Sequence, residues 1–221
     1  MRPACFKLEK MKELIIIGAR GAGREAMDLA KISRGFGTEW IIKGFLDDKK
    51  DALDGFKQYA PIIDSVEHYI PGENDVFICP LGNTLYKKKY AEIIKGKGGK
   101  FHNLIPTSTE INENVRLGEG VIINAFSSIA TGSSIGDMVT VQGQLIIGHD
   151  VVVGPYCQLG SFSFIGGYTT LGECVAVNAG STIIDRITVG DNATIGAGSV
   201  VIKNVKAGIT VFGNPAREIA S

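Results

Sequence analysis

From Ile111 onward a branched aliphatic residue recurs at every sixth position, sixteen times in succession: Ile111, Leu117, Ile123, Ile129, Ile135, Val141, Ile147, Val153, Leu159, Ile165, Leu171, Val177, Ile183, Val189, Ile195 and Val201. A period of six fits neither a helical face, which repeats near every ~3.6 residues, nor a simple strand, so it predicts a coil built of short straight edges. The C-terminal half therefore reads as a β-solenoid. The position after each aliphatic is glycine in nine of the sixteen hexads (Gly118, Gly136, Gly148, Gly154, Gly160, Gly166, Gly172, Gly190 and Gly196). Tight corners there are expected to favour a residue that tolerates positive φ. The fifth position stays small or aliphatic, as at Val115, Ser127, Val139, Cys157, Ser163, Ala193 and Ser199, which suits a side chain sharing a narrow interior. The phase is unbroken, so no long loop is expected between Ile111 and Lys206.

The first hundred residues alternate differently. Leu14 to Ile17 is a short buried-strand signal, followed by Gly18-Ala19-Arg20-Gly21-Ala22-Gly23 and a helical stretch from Arg24 to Ile32. A strand, a glycine-rich turn and a helix N-terminus bring backbone N–H groups and a positive dipole end together, an arrangement that suits a phosphate. The spacing is GxxGxG rather than the dinucleotide fingerprint GxGxxG, and the same glycines could instead serve close strand-to-helix packing. A second strand, Ile41 to Leu46, ends in Asp47-Asp48, where a carboxylate could accept from a ribose hydroxyl or a base N–H. A third, Asp75 to Cys79, leads through Leu81-Gly82-Asn83 into a helix over Leu85 to Lys95. Short loops between these elements predict a small parallel α/β sheet ending near Phe101 to Ile105. The division is then an N-terminal extension over 1–10, a Rossmann-like domain over 11–105 and the solenoid over 106–221.

Composition narrows the functional classes. Lysine and arginine together number 23, as do aspartate and glutamate, so no net charge favours nucleic acid or an anionic membrane. Lys87 to Lys89 and Lys95 to Lys100 read as solvated helix or loop surface. Four cysteines (Cys5, Cys79, Cys157 and Cys174) lack CxxC spacing, which fits a reduced cytoplasm. The charged start, MRPACFKLEK, and the short apolar runs predict neither a signal peptide nor a membrane span.

The hexad array resembles the hexapeptide-repeat acyltransferases, whose left-handed parallel β-helix uses three hexads per triangular coil. That resemblance implies about five coils here, with residues eighteen apart stacked on one face. The two halves together resemble the bacterial sugar acetyltransferases of the sialic acid O-acetyltransferase-like family, which includes N-acetyltransferases acting on nucleotide-linked 4-amino sugars. The likeness spans Met11 to Ile219 and rests on IIIGARGAGRE (Ile15 to Glu25), GFLDD (Gly44 to Asp48), LGN (Leu81 to Asn83), IIGHD (Ile146 to Asp150) and GNPAR (Gly213 to Arg217). It implies an acetyl-CoA-dependent transfer to a sugar amine or hydroxyl, a homotrimer with acetyl-CoA between neighbouring β-helices, and no metal.

His149 is the only histidine of the array, at the third position of its hexad, where a side chain can face outward. An imidazole so placed can take a proton from an attacking amine or hydroxyl near neutral pH. The resemblance implies this role for His149, with Asp150 orienting it. Stacking at eighteen residues sets Thr131 and Gly167 on either side, and the bare Gly167 leaves room for a thioester. By resemblance the Gly167 N–H donates to the thioester carbonyl, and backbone groups at Ala179 and Ala197 contact the pantetheine arm. Gly18, Arg20, Gly21, Gly23, Asp47 and Asp48 are implied in sugar-nucleotide binding. Two matched positions depart from the pattern: Gln158 replaces a second histidine, and Gln142 an asparagine, both expected near the acceptor. Cys157 is expected inside the coil, and Cys174 has no neighbouring histidine to activate it. A γ-class carbonic anhydrase would need three zinc-binding histidines where the array has one. A nucleotidyltransferase would need a larger N-terminal half. A sialic acid O-acetyltransferase and an inactive sugar-nucleotide-binding protein remain as alternatives.

Overall fold

In a computed structural model that describes residues 11–219, the first apolar run forms β1 (Lys12–Ile17), and Leu14 to Ile17 are fully buried. The expected N-terminal extension lies outside the described residues. β1 is followed by α1 (Gly21–Lys31), β2 (Trp40–Leu46), β3 (Ile62–Asp64), β4 (Asp75–Ile78), α2 (Thr84–Gly96) and β5 (Lys100–Phe101). The strands lie in the order β3-β2-β1-β4-β5, and every pairing is parallel. Two differences from the sequence reading have physical causes. α1 begins three residues before Arg24, so Gly21 and Gly23 lie in its first turn rather than in the preceding loop. At Gly23 a Cβ would stand 1.8 Å from the Gly18 carbonyl oxygen, so only glycine lets the helix sit this close to the end of β1. β3 escaped prediction because its two isoleucines, between Pro61 and Asp64, are too few to establish a period.

In the solenoid, every member of the aliphatic series is the second residue of a two-residue strand, from Glu110–Ile111 to Val200–Val201. The strands form three parallel faces. The first face carries Thr140–Val141, Gln158–Leu159 and Ala176–Val177, the second Ile146–Ile147 and Phe164–Ile165, and the third Ser134–Ile135 and Val152–Val153. Partners stand eighteen residues apart, as with Thr140 opposite Gln158 and Ile146 opposite Phe164. The aliphatics fill one continuous core with the fifth-position residues. Moving each from water into that core contributes about 1.5–3 kcal/mol.

Serine and threonine are tolerated inside because each donates to a corner carbonyl fifteen residues later: Ser127 to Gln142, Ser133 to Gly148, Ser163 to Asn178 and Thr169 to Ile184. The Cys157 thiol follows the same pattern, with the Gly172 oxygen as acceptor at 3.0 Å, which places it inside the coil as expected.

The corner glycines follow a different rule from the one predicted. Left-handed φ falls at the fourth hexad position, at residues such as Asn114, Phe126, Asp150 and Tyr168, and at none of the nine glycines that follow the aliphatics. Those nine are set by clearance. A Cβ would meet the next coil at 2.4 Å (Asp185 N) from Gly166 and at 2.5 Å (Ala179 N) from Gly160. The strands supply the pitch, and these residues keep the corners from colliding.

At either end the coil departs from the series. Leu104 already bridges to Ile122, one hexad ahead of Ile111, with its N–H donating to the Val121 oxygen. After Val201 the spacing shortens from eighteen to sixteen, since Val205 bridges to Val189 and Thr210 pairs with Thr194. No long loop interrupts the array. An antiparallel pair, Thr210–Gly213 with Ala216–Glu218, closes the end of the first face.

α2 joins the two halves and corrects the surface reading of the lysines. Lys87, Ala91 and Ile94 form its buried stripe, and Lys87 is fully buried. Its ammonium donates to Thr140 Oγ1 (2.9 Å), Gln158 Oε1 (3.0 Å) and the Cys157 carbonyl (3.2 Å). Burial in this junction lowers its pKa to about 8. Lys95 bridges Glu119 (2.7 Å) and Asp137 (3.2 Å), Lys88 reaches Glu173, and Tyr156 bonds Glu92. The Lys97 ammonium donates to the Val66 and Tyr69 carbonyls. These lysines hold the α/β unit together and fasten it to the solenoid, whereas Lys89 and Lys100 remain exposed.

Candidate active site

His149 sits in the turn between the Ile146–Ile147 and Val152–Val153 strands, at the corner joining the second and third faces. Its position in the hexad turns the side chain outward, leaving it about half exposed (53%). Nδ1 lies 2.9 Å from Asp150 Oδ2. A carboxylate at Nδ1 favours the proton there and leaves Nε2 as the basic nitrogen. One coil further on, the bare Gly167 faces the ring: a Cβ at that residue would stand 2.9 Å from Nε2 and 3.0 Å from Cε1. The Tyr168 ring meets the imidazole at 4.9 Å with an interplanar angle of 88°.

Among the described residues, the N–H groups of Gly167, Ala179 and Ala197 donate to no backbone acceptor. Ala179 and Ala197 stack on the corner between the first and second faces, and both are exposed. Within one chain, then, His149 with Gly167 and Ala179 with Ala197 occupy opposite edges of the second face. The outer positions of that face include Ile146 (50% exposed) and Phe164 (43%).

The glycine-rich motif lines a separate cleft of about 460 Å³ at the carboxyl ends of β1, β2 and β4, bounded by Gly18, Arg20, Gly23, Asp47, Asp48 and Asn83, among others. Gly18 adopts φ +92°. Asn83 caps α2, accepting from the Leu85 and Tyr86 N–H groups, while Arg20, at the N-cap of α1, makes no side-chain capping bond. Asp47 is committed to the turn: its two oxygens accept from the Ala19 N–H (2.8 Å) and the Lys49 N–H (2.9 Å). Among the described residues Asp48 hydrogen-bonds only to the Tyr90 hydroxyl, at 3.4 Å, and is the freer carboxylate. Gly21 is exposed and does not line the cleft. Gln142 lines a small recess between α1 and the first face, with Ala22, Glu25, Asn124 and Thr140, and Gln158 lies under α2 against Lys87. The sequence reading missed Lys87, Asn83, Tyr90 and Tyr168. Tyr168 had a signal: it shares the eighteen-residue column of Asp150, which sets it beside the histidine corner.

The PglD N-terminal domain family matches residues 13–94. GDP-perosamine N-acetyltransferase of Escherichia coli O157:H7 is 27% identical over 213 residues, covering 92% of this chain and 95% of that protein. The acetyltransferase domain of PglB from Neisseria gonorrhoeae, solved in complex with acetyl coenzyme A, superposes with TM-score 0.85 at 26% identity, covering 95% of this chain and all (100%) of that one. Both halves, in the same order, are shared with a dedicated acetyltransferase domain. The chain is a sugar acetyltransferase, similar to these relatives over nearly its whole length.

The fold of this acetyltransferase is shared further with PerB from Caulobacter crescentus, solved with CoA and GDP-perosamine, at TM-score 0.84 and 23% identity over 94% of this chain and 97% of that one. The solenoid is thus a left-handed parallel β-helix. The described residues of the acetyltransferase bring no three His, Cys, Asp or Glu side chains together as a metal site. Its other histidines lie apart from the corner, His68 beside Ser65 and His102 against Trp40. Burial raises the Cys79 and Cys157 thiols to about 12, so neither offers a thiolate nucleophile. No helix among the described residues is long and apolar enough to cross a membrane.

Proposed function

We propose that this acetyltransferase moves the acetyl group of acetyl-CoA directly onto the amine of a nucleotide-activated 4-amino sugar, with His149 as general base. The observation that carries this is the imidazole itself, paired through Nδ1 with Asp150 and presenting Nε2 to the side-chain-free surface of Gly167. Nε2 takes a proton from the amine as its nitrogen attacks the thioester carbonyl carbon. The Gly167 N–H donates to the oxyanion that forms. Collapse breaks the carbon–sulfur bond, and the proton passes from His149 to the departing CoA thiolate. An acyl-enzyme is unnecessary, in keeping with the buried, neutral thiols.

Ala179 and Ala197 supply free N–H donors for the pantetheine amides. The glycine-rich cleft takes the nucleotide diphosphate, with the uncapped start of α1 and Arg20 toward the phosphates and Asp48 toward ribose or base. The two sites lie on different sides of one chain, which favours a trimer: exposed Ile146, Phe164, Phe126 and Phe162 would then face a neighbour whose cleft, Gln142 and Gln158 complete the centre. A nitrogen acceptor is favoured over a hydroxyl because the E. coli relative is an N-acetyltransferase. A cytoplasmic location fits a supply of both acetyl-CoA and nucleotide sugar.

Isothermal titration separates this proposal from a sugar-nucleotide-binding protein built on the same fold. The enzyme is expected to bind acetyl-CoA with one site per chain. Saturable binding of sugar nucleotides with no detectable acetyl-CoA binding would overturn it.

A further inference from the structure

Beside His149 runs a layer of side chains that the transfer chemistry above does not use. The fourth hexad positions of successive coils stack Asp150, Tyr168 and Arg186, all in left-handed backbone that turns them outward. Tyr168 lies edge-to-face with the imidazole at 4.9 Å, and the Arg186 guanidinium carbon stands 4.6 Å from the Tyr168 ring centroid. Backbone bonds fix the order of the layer: the Tyr168 N–H donates to the His149 carbonyl (3.0 Å) and the Arg186 N–H to the Gly167 carbonyl (2.9 Å). Asp185 Oδ2 holds the Arg186 Nε side at 3.5 Å.

An imidazole hydrogen-bonded only through Nδ1 can still swing about its Cβ–Cγ bond, and Nε2 travels furthest when it does. Asp150 restrains one nitrogen, and Gly167, lacking a side chain, opens the space into which Nε2 points but restrains nothing. Among the described side chains, Tyr168 is the aromatic group in contact with the ring, and it stays about half exposed (48%) because it belongs to the corner rather than to the core. Its partner, the Arg186 guanidinium, is a cation whose charge the ring face attracts. From this geometry we infer that Tyr168, braced by Arg186, is a positioning residue that aims Nε2 of His149 across Gly167 at the thioester. It acts through its ring and not through proton transfer by its hydroxyl. The inference rests on His149 being the base.

Misaiming a catalytic group by about 1 Å can cost up to about 10²-fold. Tyr168→Ala is therefore expected to lower kcat about ten- to a hundredfold with little change in KM for acetyl-CoA, Tyr168→Phe to keep near-full kcat, and Arg186→Ala to fall between them. A readout independent of turnover is the His149 ring resonance in the free protein, assignable among three histidines. It should shift and broaden in Tyr168→Ala and stay in place in Tyr168→Phe, with the melting temperature of both close to wild type. If His149→Ala abolishes turnover while Tyr168→Ala leaves both kcat and the His149 resonance unchanged, the positioning role is wrong and the base survives. Loss of activity in Tyr168→Phe equal to that in Tyr168→Ala would also overturn the positioning role, because it would assign the effect to the hydroxyl. Near-wild-type turnover in His149→Ala would instead remove the base on which the inference stands.

Discussion

Replacing His149 with alanine lowers kcat by about 10²- to 10⁴-fold and leaves the fold and acetyl-CoA binding intact. The size follows from the role: a positioned general base contributes that much when the attacking amine must lose a proton, and water is a poor substitute in a packed site. The side chain is half exposed on a turn, its described hydrogen bond runs to the adjacent Asp150, and the solenoid interior is formed by other positions of the hexad. Its removal therefore opens no internal cavity. Steady-state kinetics beside titration of acetyl-CoA check the separation. A variant with near-wild-type kcat would remove the base from the mechanism, and one that also loses acetyl-CoA binding would assign His149 to cofactor recognition.

The second large effect concerns stability. Lys87 is held against the solenoid by three neutral acceptors, and its burial lowers its pKa from 10.5 to about 8. The unfolded chain therefore binds the extra proton between those values, so the penalty for burying the ammonium is full below pH about 8 and fades as pH rises toward 10.5. A tenfold change in proton affinity is worth about 1.4 kcal/mol, so wild type gains about 2 kcal/mol relative to Lys87→Met between pH about 7.5 and about 10. Cys79, Cys157 and Cys174 also face this junction with thiol pKa values raised by burial, and they lose stability over the alkaline range. The Lys87 charge lowers all three thiols, against the larger effect of burial, so the difference between the two proteins reports the lysine together with its coupling to these thiols. Urea denaturation of the pair across that range measures it. Parallel pH profiles would mean that Lys87 does not titrate within it.

The solenoid was legible because each coil imposes the same requirement on the same position: one aliphatic inward, one small residue beside it, and one corner residue without a Cβ. Even there the reason for the glycines was misread, since nothing in a sequence distinguishes a residue chosen for positive φ from one chosen to clear the next coil. Eighteen-residue stacking also placed Gly167 against His149. Lys87 was illegible for the opposite reason. A lysine run argues for solvent, and the partners that bury it, Thr140 and Gln158, lie 53 and 71 residues away. Asp47 shows the same limit on a smaller scale: its place after a strand suggested a ligand carboxylate, but its oxygens fold back onto Ala19 and Lys49.

The transfer itself is tested most directly by incubating the purified protein with acetyl-CoA and GDP-, UDP-, dTDP- or CMP-linked 4-amino sugars, following thiol release and the mass of each sugar. One of the nucleotide sugars should gain a single acetyl group as an amide, with one CoA thiol released for each acetyl transferred, and His149→Ala should suppress both together. Nucleotide sugars recovered unchanged from every reaction, with no thiol released, would contradict the account.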